Sequence, residues 1–237
     1  MISFKATCIS SSDNFFRVLW NNTLKDELDK EKIKIKIHAA SEVFFKFNLN
    51  IEPERIIVTS GSSAAILLAI LSSTNMNEEI IIIDPHYPCY PQIVKILGRD
   101  IKIFKTYEME NYQIDINKLK KIISKKTKAL IVNSPANPTG VSQSDSILKK
   151  LSKLNIQIIS DEIYQGLSID YPLNTILKHD LTNSIVVNGF SKYYSMTGWR
   201  LGYIIMPKKL IRYAQKFQQN MFCLLYTSPS PRDRQKS

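Results

Sequence analysis

Lys192 and Arg200 lie eight residues apart in the stretch NGFSKYYSMTGWRLGY, Asn188 to Tyr203. One apolar run, Ser184 to Val187, precedes the stretch and another, Leu201 to Met206, ends it. Such short apolar runs predict buried strands, so the lysine falls just past one strand's end and the arginine just before the next. Two cations flanking one loop can face the same cavity. A free lysine has a pKa near 10.4, which leaves roughly a few in ten thousand neutral and nucleophilic at pH 7. Burial and a neighbouring cation are the means by which proteins raise that fraction.

Other segments supply complementary chemistry. The turn Thr59, Ser60, Gly61, Ser62, Ser63, Ala64 leads into a predicted helix. Free backbone N–H groups and the helix dipole favour a phosphate there, and Gly61 allows close approach. No lysine follows as in a P-loop and no GxGxxG occurs, so nucleotide readings lack their markers. The loop DPHYPCYP, Asp84 to Pro91, offers Tyr87 as a ring to stack on a planar ligand, while Tyr90 reads as packing for the loop. His86, His38 and His179 stand singly and carry no catalytic role.

In NSPANPTG, Asn133 to Gly140, two prolines and a glycine fix a turn that orients the Asn137 amide, a donor for a phenolate or carboxylate. In SDEIY, Ser160 to Tyr164, Asp161 ends an apolar strand with a phenol, Tyr164, about one turn on. A carboxylate buried there needs a cationic or donor partner, since unpaired burial costs several kcal/mol. The set comprises a phosphate cradle, a stacking ring, a fixed amide, an acid, a lysine and an arginine. Pyridoxal 5'-phosphate satisfies all of them, with its phosphate, flat pyridinium, phenolic oxygen and lysine-reactive aldehyde.

The elements that must position these groups alternate regularly. Expected strands are Ile56 to Thr59, Glu79 to Asp84, Asp100 to Tyr107, Ala129 to Asn133 and Ile156 to Ser160. Between them lie expected helices at Ser62 to Ser73, Tyr90 to Gly98, Asp115 to Ile123 and one capped by Ser144. That order implies an α/β fold on a mostly parallel sheet, in which ligands bind beyond the carboxyl ends of the strands. Upstream, Ile37, Ala40, Val43, Phe44 and Phe47 recur with the spacing of a one-faced helix. The alternation from Lys32 to Ile37 suits either an edge strand or a lysine-studded helix end.

A chain of 237 residues with 44% hydrophobic content can bury the core of one large domain, or of one domain plus a fragment. Its longest apolar run, Ala64 to Leu71, is far short of the roughly 20 residues a membrane span needs. The start of the chain lacks the apolar core of a signal peptide, and Cys8, Cys89 and Cys223 are scattered without metal or disulfide spacing. No metal site is expected, and a cytoplasmic location is. The net charge of +11 invites a nucleic-acid partner, but the lysines are dispersed on polar faces without an arginine-rich or aromatic-interleaved patch. Solvated surface lysine is the reading adopted. A helix from Lys208 to Phe222 is expected before residues 223–237, which are rich in Ser, Pro and Arg and are expected to be a disordered, non-native tail.

The motifs TSGSSAA, DPHYPCY, NSPANPTG, SDEIY and GFSKYYSMTGWRLGY resemble, in order, those of the class I and II aminotransferases, fold type I of the pyridoxal-phosphate enzymes. The resemblance spans Ile51 to Phe222. It implies a three-layer α/β/α large domain at residues 51–222 that binds the cofactor, a poorly matched segment at residues 1–50, and a small C-terminal domain missing from this chain. It implies that Lys192 condenses with the cofactor aldehyde and Asp161 pairs with the pyridinium. Asn137 and Tyr164 bond the phenolic oxygen, Tyr87 stacks on the ring, and Gly61, Ser62, Ser63 and Arg200 hold the phosphate. Gly189 departs from the pattern: many relatives carry a phosphate-binding serine three residues before the lysine. The implied reaction is amino-group transfer between an amino acid and a 2-oxo acid, by a homodimer when full length. Two alternatives stay open, a C–S β-lyase on the same fold and a non-catalytic cofactor-binding remnant.

Overall fold

The computed structural model describes residues 28–167 and 174–221. The tail at 223–237 lies outside the described residues, as does most of the segment at 1–50. In chain order the helices are α1 (Leu28–Phe47), α2 (Ser62–Ser73), α3 (Cys89–Ile96), α4 (Ile116–Ile122), α5 (Asp145–Leu151) and α6 (Lys208–Met221). The strands are β1 (Ile56–Thr59), β2 (Glu79–Asp84), β3 (Asp100–Lys105), β4 (Thr127–Asn133), β5 (Gln157–Asp161), β6 (Ile185–Gly189) and β7 (Gly202–Ile205).

The seven strands form one sheet in the order β1-β7-β6-β5-β4-β2-β3. Strands β3, β2, β4, β5 and β6 pair in parallel, whereas β7 is antiparallel to both β6 and β1. Six strands therefore end at one edge of the sheet, and the reversed β7 begins there. This is why residues following six strands and residues preceding the seventh can meet around one cavity.

Strand alternation divides the core in two. Ile80, Ile82, Ala129, Ile131, Ile159, Ile185 and Val187 face one way and pack with Leu68 and Ala69 of α2, Val94 of α3 and Ala214 of α6. Ile81, Leu130, Val132, Ile158 and Val186 face the other way, against Ala39 and Val43 of α1, Leu119 of α4 and Leu148 and Leu151 of α5. The result is the expected three-layer α/β/α arrangement on a mostly parallel sheet. Burial on both faces explains why β2 and β4 read as unbroken apolar runs rather than as alternating ones.

One open reading is decided and two local expectations are revised. The lysine–isoleucine alternation lies inside α1, so it is helix. The buried stripe of α1 is Ile35, Ala39 and Val43, while Ile37 and Phe44 are each 49% exposed, so they flank the contact rather than make it. Ser144 precedes α5 without a side-chain capping bond; its hydroxyl lies 3.1 Å from that of Ser146. Asp115 does cap, accepting from the backbone N–H groups of Asn117 and Lys118 ahead of α4. Among the described residues no helix is long and apolar enough to cross a membrane.

Candidate active site

Gly61 and Arg200 meet where β1 ends and β7 begins, because Thr59 pairs with Gly202 across those strands. Gly61 has φ +81°, a left-handed value open to glycine, and a methyl carbon built on it would fall 2.5 Å from Nη2 of Arg200. One built on Gly202 would fall 2.6 Å from the Gly61 carbonyl carbon and 2.8 Å from the Ser62 nitrogen. Two glycines thus let the guanidinium and the start of β7 close against the first turn of α2, where Ser62 and Ser63 stand. Arg200 Nη1 donates to the Thr197 carbonyl at 3.2 Å, bracing the side chain. A helix N-terminus with an arginine beside it favours an anion through both dipole and charge.

Asp161 ends β5 and is buried, 4% exposed. Its Oδ2 accepts from the Tyr90 hydroxyl at 2.7 Å and its Oδ1 from the Ile163 N–H at 3.2 Å. Among the described residues no lysine, arginine or histidine forms an ion pair with it. Burial pushes its carboxyl up to about 6, with the Tyr90 and Ile163 hydrogen bonds opposing the rise. Tyr90 is therefore more than packing for its loop, which corrects the sequence reading. The Tyr87 ring stands edge-on to Tyr90 at 5.6 Å and remains partly open to solvent.

Asn137 and Tyr164 also meet: the amide Nδ2 donates to the Tyr164 hydroxyl at 3.2 Å. The Asn137 backbone N–H donates to Oδ1 of Asn133 at 2.6 Å, and Asn133 Nδ2 donates to the Asp161 carbonyl at 2.9 Å. Asn133 thus locks the loop after β4 to the end of β5; it was legible only as the first letter of NSPANPTG. Lys192 Nζ lies 5.4 Å from the centroid of the Tyr164 ring. The structure brings Gly61 together with Arg200, Asn137 with Tyr164 and Tyr164 with Lys192, and it places Asp161 at the same sheet edge.

The histidines are elsewhere engaged. His179 lies 3.0 Å from Asp145, His86 bonds its neighbour's carbonyl at 3.2 Å, and His38 bonds Tyr194 at 3.1 Å on the α1 side. Glu162 is a second buried carboxylate that sequence reading passed over. Its Oε1 accepts from the Ser160 hydroxyl, the Thr175 hydroxyl and the Ile176 N–H, so it faces away from Asp161 and fastens residues 175–176. Burial pushes it up to about 7. Among the described residues no cluster of three metal-ligating side chains occurs.

The family model for aminotransferase class I and II matches residues 33–232. The chain belongs to this family. An aspartate aminotransferase of Sulfolobus acidocaldarius is 35% identical over 205 residues, 83% of this chain and 50% of that protein. A (5-formylfuran-3-yl)methyl phosphate transaminase of Methanocaldococcus jannaschii is 39% identical over 180 residues, 75% of this chain and 46% of that protein. The crystal structure of an aspartate aminotransferase from Thermotoga maritima superposes with a TM-score of 0.79 at 28% identity, over 90% of this chain and 58% of that one. The chain spans about half the length of the curated relatives it matches.

Class I and II aminotransferases in general depend on pyridoxal phosphate, and this member's residues fit that group. A buried carboxylate with no cation paired to it among the described residues matches a protonated ring nitrogen, and the glycine-lined turn beside Arg200 matches a phosphate. Gly189 fits less simply into the family pattern, since a side-chain carbon there would sit 3.2 Å from the Leu201 carbonyl and 3.3 Å from Gly202 Cα. Its lack of a side chain suits the tight pairing of β6 with β7.

Proposed function

We propose that this chain carries the cofactor-binding domain of a pyridoxal-phosphate-dependent aminotransferase that moves an amino group between an amino acid and a 2-oxo acid. The observation that carries the reading is Asp161, buried and uncompensated by any cation among the described residues, at the sheet edge shared with Lys192 and Arg200. Bound pyridoxal phosphate supplies an aldehyde that condenses with amines and a protonated ring that accepts the electron pair left when the substrate's α-proton departs.

The chain's own residues do the rest. Lys192 would hold the cofactor through its aldehyde, and its amine would be the group placed to carry a proton from the substrate. Asp161 keeps the ring nitrogen protonated. The Asn137 amide and Tyr164 hydroxyl, already in contact, orient the phenolic oxygen, and Tyr87 covers a ring face. Gly61, Ser62, Ser63 and Arg200 hold the phosphate. Residues 51–222 form the cofactor-binding domain. The intact protein is a cytoplasmic homodimer, consistent with scattered cysteines and with the family's general habit.

The test is spectroscopic. The purified chain mixed with pyridoxal phosphate should develop the visible band of lysine-linked cofactor, and a panel of amino acids should convert it to the pyridoxamine form. Failure to bind the cofactor sinks the reading. Release of pyruvate and ammonia from cysteine-type substrates, in place of that conversion, assigns a lyase instead.

A further inference from the structure

Tyr90 carries the inference. Its hydroxyl is the only side-chain donor to the Asp161 carboxylate among the described residues, and it comes from a different element, the first turn of α3. The other donor, the Ile163 N–H, belongs to Asp161's own chain segment and is longer by half an ångström's scale, 3.2 against 2.7 Å. We infer that Tyr90 is the positioning residue of this site: its hydroxyl fixes the plane of the Asp161 carboxylate and keeps it available as an acceptor for the cofactor's ring nitrogen. The inference rests on the pyridoxal-phosphate reading above.

The arrangement makes the hydroxyl an obligate donor. Tyr90 is 2% exposed, and its burial, together with the adjacent Asp161 charge, pushes its ionisation far above the ordinary tyrosine range. The phenol therefore stays protonated, and it points that proton at Oδ2. Each carboxylate oxygen then has one donor and keeps lone-pair capacity for a further one. Without the hydroxyl, Oδ2 is left buried with no side-chain donor among the described residues, and the carboxyl is free to turn about its terminal torsion and to take up a proton.

The same residue couples two parts of the site. Tyr90 N–H donates to the Tyr87 carbonyl at 3.1 Å, and the two rings meet edge to face at 5.6 Å. Spaced three residues apart in DPHYPCY, they bracket the turn that leads into α3, so the ring that covers the cofactor's face and the hydroxyl that holds the acid at its edge share one anchor. A stacking ring and an acid set by the same turn keep their relative placement even if the sheet edge shifts.

Tyr90→Phe removes the hydroxyl and keeps the ring. In the chain without cofactor, the Asp161 carboxyl carbon, followed by carbon-13 NMR, should titrate near 6 in the wild type, and Tyr90→Phe should raise its proton affinity roughly tenfold. An unchanged midpoint overturns the inference. With pyridoxal phosphate added, Tyr90→Phe should weaken binding roughly tenfold, and should do nothing further in an Asp161→Asn background. Equal weakening in both backgrounds reduces Tyr90 to packing and also overturns it. A wild-type chain that binds no pyridoxal phosphate sinks the functional reading, while the NMR titration still decides whether Tyr90 governs Asp161. Should Tyr90→Phe not fold, placing 3-fluorotyrosine at position 90 keeps the shape and strengthens the donor; the Asp161 midpoint then has to move down, and a fixed one overturns the inference.

Discussion

Gly202 passes under Gly61 so closely that a side-chain carbon on it would lie 2.6 Å from the Gly61 carbonyl carbon, inside any real contact distance. The obstacle is backbone, which cannot swing aside as a side chain can. Gly202→Ala should therefore displace the turn that carries Ser62. The expected result is a loss of about 1–3 kcal/mol in urea unfolding and weaker binding of inorganic phosphate and pyridoxal phosphate. Unaltered phosphate affinity would show that the turn does not form the anion site.

Lys192→Ala should abolish the visible band of lysine-linked cofactor while leaving the fold and the phosphate contacts in place. Far-ultraviolet circular dichroism checks the fold and an absorbance scan checks the band. A variant that keeps the band has its nucleophile elsewhere.

Asn133 reaches two backbone groups of two different loops, the Asn137 N–H and the Asp161 carbonyl. Asn133→Ala should cost about 1–3 kcal/mol of stability through the unpaired groups it leaves. It should also weaken cofactor binding severalfold without touching the cofactor. Asn133→Asp, which keeps the acceptor and loses the donor, should fall between the two. Equal stability of all three proteins in urea would remove Asn133 from this role.

Glu162 and Asp161 are buried carboxyls held at about 7 and about 6, above their values in an unfolded chain. A raised folded-state value means that the folded chain binds more protons than the unfolded one. Their contribution to stability is therefore full below about pH 4 and is lost as pH rises through about 6 to 7. Glu162→Gln should flatten part of that fall, changing the pH 5 to pH 8 difference in unfolding free energy by on the order of 2–3 kcal/mol. Urea titrations at several pH values measure it, and parallel profiles for both proteins would count against the assignment.

Local elements were legible wherever one periodicity dominated. Residues 56–59 and 62–73 read from the sequence as the strand and helix found there, because a β-branched run and a small-residue turn leave no competing pattern. In α1 two stripes compete at helical spacing, and only the position of the sheet selects Ile35, Ala39 and Val43 over Ile37 and Phe44. The Tyr90–Asp161 bond joins residues 71 positions apart, and no local pattern announces such a pair. Glu162 was hidden by its neighbour: it directly follows Asp161 at the end of β5 and turns the other way, toward Thr175 and Ile176, which could not be foreseen. Gly202 gave no signal either, since its constraint is the passage of another strand's turn.

The reversal of β7 bears on how this site can vary through insertion and deletion. Lys192 and Arg200 sit in one hairpin whose arms are zipped together from Val186–Ile205 to Gly189–Gly202. Lengthening that loop at its tip alters the spacing of the two charges, whereas lengthening the connection between β5 and β6 leaves it untouched. Among homologues, chain length should therefore be nearly invariant between these two cations and free to drift in the segment that precedes β6.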